Sequence, residues 1–521
     1  MTTLVLTRRF LTDYARNPVN LLLLVLVPVV FVMVAAGSLV EAAELFGSSE
    51  ASAVATATAG WAAGFLAGVA MYFQTSAARD ADRGLVIAGL PARRLVTARL
   101  GTGFALAVLA SAAALAALWA RTGIEDPARA LAGTAMFALI YLGIGAVVGA
   151  VVRNPVNGTV LILFIWILDV FFGPAMSTAA NQVGTRVLPT HYVTLWMTDL
   201  PLRHGGRLGD LGVAALWTVG ALALAFAVVV ATVRVAHRRR LRTPPGSVRD
   251  QLIAATRMGW RDWRRNPVLW LLLVAVPAVF ILAAQAITPH GPTSIVVAED
   301  GVRAARVFDV FDLHAGTMAP IAVASLATLA GLFVVLDTGP GDRRIALVGL
   351  RPGVALAARL AVIGAATALA AGVSLAIAAF VFDPRQWAFY AAGNALIAVT
   401  YAFLGVLLAP IFGRVASVFI AFLIPFLDVG IGQSPMLRGE PASWAQYLPG
   451  HGAYRILIDG GLTAGFDETG ALLIAFGWLA VLAAAAIILV RRTITPHHRR
   501  EVNQISQTGT SPRPGSTARP G

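Results

Sequence analysis

Twelve apolar stretches alternate with short polar segments along the chain of 521 residues. The first six lie near residues 20–40, 53–76, 98–120, 130–152, 157–173 and 211–233. The second six lie near residues 268–288, 316–336, 356–381, 387–411, 416–431 and 470–490. A helix needs about 20 apolar residues to cross a bilayer, so the pattern predicts an all-α polytopic membrane protein. The two shortest stretches, 157–173 and 416–431, predict tilted or broken helices.

Short motifs recur in the same order in the two sets of six stretches. The matching segments are DYARNPVNLLLLVLVPVVF (13–31) with DWRRNPVLWLLLVAVPAVF (262–280), DRGLVIAGLP (82–91) with DRRIALVGLR (342–351), ILDVFFG (167–173) with FLDVGIG (426–432), and LPTHYVTLWMTD (188–199) with LPGHGAYRILID (448–459). The spacing between partners stays between 249 and 260 residues. This duplication predicts two parallel six-helix transmembrane modules related by a pseudo-twofold axis along the membrane normal.

Four segments follow from this repeat. We expect a first six-span module at 1–233, a basic cytoplasmic linker at 234–261, a second six-span module at 262–490 and a disordered cytoplasmic tail at 491–521. The tail is rich in Pro, Gly, Ser and Thr, a composition that buries too little apolar surface to fold.

The charges indicate how the spans are oriented. With both termini inside, the cytoplasmic segments hold 30 of the 40 arginines and eight acidic residues, which leaves +22 on that side and −8 on the other. Basic residues keep loops in the cytoplasm, so the asymmetry favours cytoplasmic termini in the plasma membrane. The net charge of +14 therefore describes topology and contact with anionic membrane lipids, and no nucleic-acid partner is needed to explain it.

Composition excludes several kinds of site. The chain is 58% hydrophobic and only 13% charged, whereas soluble domains contain fewer apolar and more charged residues. It contains no cysteine. All 40 of its basic residues are arginine. A phosphate-binding P-loop needs a lysine, so we expect this chain to carry no ATPase site of its own. We likewise predict no catalytic residue, no bound cofactor and no metal site.

Each half begins with a corner before its first span. Tyr14, Asn17 and Pro18 precede the first span, and Trp263, Asn266 and Pro267 hold the same places before the seventh. A proline disfavours helical geometry in the residue before it, so the corner should join a helix on the inner membrane surface to a spanning helix. Tyr14 and Trp263 are suitable interfacial anchors.

With the corner, the charged loop between spans two and three (79–100, 337–360) and the external segment between spans five and six, the chain resembles the type-2 ABC exporter permease family. It is most similar to the tandem, twelve-span permeases of actinobacterial antibiotic exporters. The second loop departs from the family pattern, because Arg344 replaces Gly84 and the proline comes one place later, at Pro352.

The resemblance implies a separate cytosolic ABC ATPase, in two copies, that binds ATP and Mg beneath the membrane. The loops at 79–97 and 339–357 would then act as coupling helices that seat in the ATPase. The residues expected to make these contacts are Arg79, Arg83, Leu85, Leu90, Arg93, Arg94, Arg343, Arg344, Leu347 and Leu350. ATP-driven closure of the dimer would rock the modules and move a small hydrophobic or amphipathic substrate, such as an antibiotic or lipid, outward.

Polar and aromatic side chains within the spans are candidates for the translocation path. Asp169 and Asp428 hold equivalent places near the outer ends of spans five and eleven, where they either line a cavity or act at a helix end. Met71, Tyr72, Phe73 and Gln74 in span two suit an aromatic substrate pocket, although such a stripe more often packs a core. His191 and His451 recur without metal-ligand spacing, which favours a capping role in the external segment.

Two other functions fit part of the pattern. A secondary transporter of the major facilitator type also has twelve spans in two parallel halves. Its loop motif is incomplete here, because neither DRGLVIAG nor DRRIALVG ends in Gly-Arg-Arg. A membrane scaffold without transport activity is the third alternative, and it would show no ATP-dependent flux.

Overall fold

A computed structural model describes residues 3–45, 51–176, 183–199, 206–233, 267–299, 301–347, 352–435 and 439–494. The helices of the first half are α1 (Thr3–Ala15), α2 (Pro18–Leu45), α3 (Ala51–Ile87), α4 (Ala92–Thr122), α5 (Pro127–Val151), α6 (Pro155–Phe171), α7 (His191–Thr198) and α8 (Gly206–Val233). Those of the second half are α9 (Pro267–Ile287), α10 (Val310–Leu347), α11 (Pro352–Ala378), α12 (Trp387–Pro425), α13 (His451–Leu462) and α14 (Thr469–Ile494). A π-helical turn, Phe426–Gly432, continues α12.

Every one of the twelve predicted stretches lies on one of these helices. Within the described residues, nine helices are long and apolar enough to cross a bilayer, and Pro155–Phe171 and Trp270–Ala286 are shorter apolar helices. One of the nine, Trp387–Gly432, has 46 residues and contains both the tenth and eleventh stretches. These helices confirm a polytopic, predominantly α-helical membrane protein.

A break at Gly413 divides that 46-residue segment. Its backbone has φ 72° and ψ −178°, a region that is essentially restricted to glycine. A continuous helix of this length would extend about 70 Å, more than twice the hydrocarbon thickness of a bilayer. The break therefore allows the segment to be used as two crossings, with the short second one ending in the π-helical turn.

The long helix α3 is the buried centre of the first half. It packs on α5 at small residues: a Cβ added to Gly145 would lie 2.0 Å from the carbonyl oxygen of Gly68. The second half repeats this contact between α10 and α12, where a Cβ on Gly405 would lie 2.0 Å from the carbonyl oxygen of Thr328. Lipid supplies no hydrophobic force between helices, so such close backbone approach is what holds spans together.

An antiparallel hairpin interrupts the helical pattern between α9 and α10. Strands β1 (Pro292–Glu299) and β2 (Val302–Asp309) pair in register from Pro292 with Asp309 to Glu299 with Val302. The backbone nitrogen of Val296 also donates to the carbonyl of Gly439 at 2.9 Å, which joins the hairpin to the segment before α13. The sequence analysis did not predict these strands.

Replacing Gly413 tests the break in α12. We expect Gly413→Ala to destabilise the protein by about 1–3 kcal/mol, because a Cβ is strained at this φ and ψ. Gly364→Ala is the matched control, since a Cβ at this glycine in α11 meets open space and should stabilise the helix slightly. Thermal unfolding of the detergent-purified variants measures both effects, and equal melting temperatures would show that the break carries no strain.

Candidate functional site

The corner between α1 and α2 has the geometry of a capped helix start. The Asn17 side-chain oxygen accepts a hydrogen bond from the backbone nitrogen of Val19 at 3.2 Å, and Pro18 is the first residue of α2. Burial raises the pKa of Tyr14 above its ordinary range. A Cβ on Gly413 would lie 4.0 Å from Asn17 Nδ2, so this corner meets the break in α12. Of the second corner, Pro267 begins α9, whereas Trp263 and Asn266 lie outside the described residues.

A tight turn joins α3 to α4 at the predicted first coupling loop. Gly89 has φ 97°, its backbone nitrogen donates to Val86, and the nitrogen of Leu90 donates to Leu85. These two bonds form a Schellman motif, which ends α3 and requires glycine at the left-handed position. The loop is therefore a rigid turn between two long helices rather than a separate short helix.

Two of the predicted coupling arginines hold helix ends inside the first half. Arg79 donates to the carbonyls of Gly149 and Val152, the latter at 3.1 Å, at the end of α5. Arg83 donates to the carbonyl of Thr232 at 3.4 Å, at the end of α8. A cation is favourable at a helix C-terminus, where carbonyls lack partners. Both side chains therefore have structural contacts.

A buried ion pair fixes the base of this turn. Arg99 on α4 donates to both carboxylate oxygens of Asp82 on α3, at 2.7 and 3.1 Å, and neither side chain is more than 14% exposed. The Arg99 guanidinium also lies 3.7 Å from the ring centroid of Phe10 on α1. The bidentate pair and the contact with Phe10 thus link α1, α3 and α4. The sequence analysis missed it, although Asp and Arg recur at the matching places Asp342 and Arg359.

The tip of the turn is open to solvent. Arg93 and Arg94 are exposed, Leu85 is 41% exposed and Ile87, which the sequence analysis did not single out, is 81% exposed. Leu90 is half-buried. The outward-facing surface of this turn, hereafter the turn surface, therefore consists of two aliphatic side chains and two arginines, Leu85, Ile87, Arg93 and Arg94.

The second predicted coupling loop is described only in part. Arg343, Arg344 and Leu347 belong to the helical backbone of α10, and Leu350 lies outside the described residues.

Asp169 fastens the segment between α6 and α8. It is 2% exposed and accepts a hydrogen bond from Tyr141 Oη on α5 at 2.9 Å. The backbone nitrogen and the hydroxyl of Thr190 also donate to this carboxylate. Thr190 is the residue immediately before α7, so the carboxylate holds the N-terminus of that helix against α5 and α6.

Asp428 makes the equivalent clamp in the second half. It is fully buried and accepts from Tyr401 Oη on α12 at 2.6 Å, from Gln433 Nε2 at 2.9 Å and from the backbone nitrogen of Gly450 at 2.8 Å. Gly450 immediately precedes α13. Both carboxylates therefore contact the start of a helix, and a part for them in the translocation path stays a prediction.

The recurring histidines lie at the same helix starts. His191 and His451 are both buried, and His451 Nδ1 lies 2.9 Å from the side-chain oxygen of Gln433. Burial lowers the pKa of His451, and the charge of Arg455 lowers it further. Within the described ranges no group of three or more His, Asp or Glu side chains is placed to hold a metal ion.

The aromatic stripe of α3 packs inside the first half. Met71, Tyr72 and Phe73 are at most 4% exposed. Tyr72 Oη donates to the carbonyl of Asn154 at 3.2 Å, at the start of α6. Gln74 is half-buried, and its two amide atoms have no hydrogen-bond partner among the described residues. These contacts make the stripe part of the core of the first half.

A different aromatic cluster lies where the two halves pack against each other. We call this contact between the halves the seam. Phe31, Phe65 and Trp166 of the first half pack against Phe419, Phe422 and Phe426 of the second. Ring centroids lie 5.6 Å apart for Phe31 with Phe426 and 4.6 Å apart for Phe65 with Phe422. Sequence periodicity could not find this cluster, because its members come from four separate segments and only Phe419, Phe422 and Phe426 share a helical spacing.

A protein-family model matches part of the first half. Residues 40–234 match the family model described as ABC-2 family transporter protein. This part of the chain is similar to the ABC-2 transporter family. The matched residues, 40–234, include the turn surface, the Asp169 clamp and the helices from α3 to α8. A search of curated proteins finds no match to the chain.

The clamp of the second half can be tested with one substitution. Three groups donate hydrogen bonds to the Asp428 carboxylate, from Tyr401, Gln433 and Gly450. In Asp428→Asn an NH2 group replaces one of the two accepting oxygens, so at least one of these donors loses its acceptor. We expect a loss of about 1–3 kcal/mol in stability and faster hydrogen exchange in α13. The matched control is Asp383→Asn, at an exposed loop residue. Unchanged exchange in α13 would contradict the clamp.

Proposed function

We propose that the chain is the membrane-spanning permease of an ATP-driven exporter, with a separate cytosolic ABC ATPase dimer as its partner. The observation that carries this proposal is the ABC-2 family match, whose residues include a rigid turn with an exposed aliphatic and basic tip. ATP and Mg belong to the partner, since the chain has no lysine for a phosphate-binding loop.

A mechanical connection supports the proposed coupling. Ile87 at the turn surface and Phe65 at the seam lie on the same helix, α3, about 33 Å apart along its axis. Three side chains fix the C-terminal end of α3 to its neighbours. Asp82 pairs with Arg99 of α4, Arg79 caps α5 and Arg83 caps α8. A displacement of the turn would therefore move these helices together and transmit force along α3 to the seam.

The direction and the cargo follow from the same proposal. Opening of the seam between two modules gives a path through the membrane, and the apolar and aromatic lining suits a hydrophobic or amphipathic molecule. We propose that this molecule leaves the cell. The paired clamps at Asp169 and Asp428 support a common plan for the two modules, in which α7 and α13 stay fastened to the outer ends of the spans.

Reversing the charge of the turn surface tests the partnership. We expect Arg93→Glu with Arg94→Glu to reduce recovery of the co-expressed ATPase on the tagged chain by about tenfold, because like charges across an interface cost several kcal/mol. Both side chains are exposed, so folding should be unaffected. Arg83→Glu would be a less specific test, because Arg83 also caps α8.

The matched control reverses two exposed arginines of α1, Arg8→Glu with Arg9→Glu, and should leave recovery near the wild-type amount. ATPase activity of each purified complex provides a second measurement, with the chain alone as background. Normal recovery and normal ATPase activity in the Arg93/Arg94 variant would refute a coupling role for the turn surface.

A further inference from the structure

A cavity of about 270 Å³ lies on the seam, at the end of the helices remote from the turn at Gly89. Met33 and Ser38 of α2 line it on one side, with Ile431 of the π-helical turn and Trp444 on the other. Met33 is two residues beyond Phe31, and Ile431 is five residues beyond Phe426. Because Phe31 stacks on Phe426, the cavity adjoins the closed aromatic cluster. A molecule that passes this cluster would enter the cavity.

Arg121, near the end of α4, is the charged side chain that lines this cavity. Its Nη1 donates to the backbone carbonyl of Met33, and a Cβ on Gly37 would lie 2.5 Å from its Nη2. The guanidinium therefore occupies a notch in α2 that the glycine leaves open. Among the described residues no carboxylate forms an ion pair with Arg121. One guanidinium nitrogen donates to Met33, so several N–H donors remain for a ligand.

The surroundings of Arg121 favour an anion with an apolar part. Trp444 is 40% exposed and offers an indole face, and Ser38 supplies a hydroxyl. Glu41, one turn farther along α2, is not part of the lining. Arg121 also lies on the side of the membrane that the sequence predicts to carry a net charge of −8.

We propose that this cavity binds an amphipathic organic anion, with its charged group on the Arg121 guanidinium and its apolar part against Trp444. The proposal rests on the proposed function, because it names the chemical class of the exported molecule. A carboxylate, sulfonate or phosphate satisfies the same donors, and both a free anion and a lipid headgroup carry such a group.

The test compares two dyes that share a ring system and differ in charge. The anionic probe is 8-anilinonaphthalene-1-sulfonate, and the neutral probe is N-phenyl-1-naphthylamine. Binding to the full chain in phosphatidylcholine nanodiscs is measured by fluorescence, with empty nanodiscs subtracted. We expect Arg121→Gln to weaken binding of the anionic probe by about tenfold and to leave the neutral probe unchanged.

Three further variants make the result specific. Arg121→Lys keeps the charge and should retain most of the affinity for the anionic probe. Trp444→Ala should weaken both probes. Arg186→Gln removes another exposed arginine of the first half, outside the cavity lining, and should change neither. Unchanged binding of the neutral probe shows that Arg121→Gln is folded.

The proposal is overturned if Arg121→Gln binds the anionic probe as tightly as wild type, or if it loses both probes equally while Arg121→Lys does the same. Phosphatidylglycerol in the nanodiscs distinguishes the sources: competition that depends on Arg121 identifies a lipid headgroup, and its absence identifies a free anion. The assay uses no ATPase, so failure here leaves the coupling result standing, and failed coupling leaves this result standing.

Discussion

Close backbone contact between helices is the constraint on which this structure depends. Within a bilayer, apolar side chains gain nothing by leaving lipid, so spans associate where small residues let backbones meet. Gly145 against Gly68 and Gly405 against Thr328 provide this contact at places 260 residues apart. Because α3 is buried by such packing, it links the turn surface at Ile87 to the seam at Phe65 as one rigid element.

Polar groups at the helix ends obey a related constraint. A carbonyl or amide without a partner is costly at membrane depth, so the ends are closed by side chains from neighbouring helices. Arg79 and Arg83 close α5 and α8 on one side, and the Asp169 and Asp428 carboxylates hold α7 and α13 on the other. The same residues that satisfy the backbone thus tie neighbouring helices to one another.

The sequence was sufficient for the spans, since apolar length is a local signal. The repeated Asp positions were visible in the sequence, but their contacts with the starts of α7 and α13 were not. It could not distinguish arginines that cap helices from arginines that face solvent, because Arg83 and Arg93 look alike until α8 is placed beside α3. The seam aromatics also needed tertiary structure. The hairpin did carry a sequence signal. The turn dipeptide Asp300-Gly301 lies between the β-branched run Ile295 to Val297 and Val302, but the reading of apolar spans passed over it.

The proposed function requires that the seam opens during ATP hydrolysis. The chain has no cysteine, so Met33→Cys and Trp444→Cys place spin labels on opposite sides of the seam without further change. Their distance distribution is measured by electron paramagnetic resonance in the permease–ATPase complex, without nucleotide and after trapping with ADP and vanadate. We predict a clear shift to longer distances on trapping. An identical distribution in a complex that hydrolyses ATP would contradict the account.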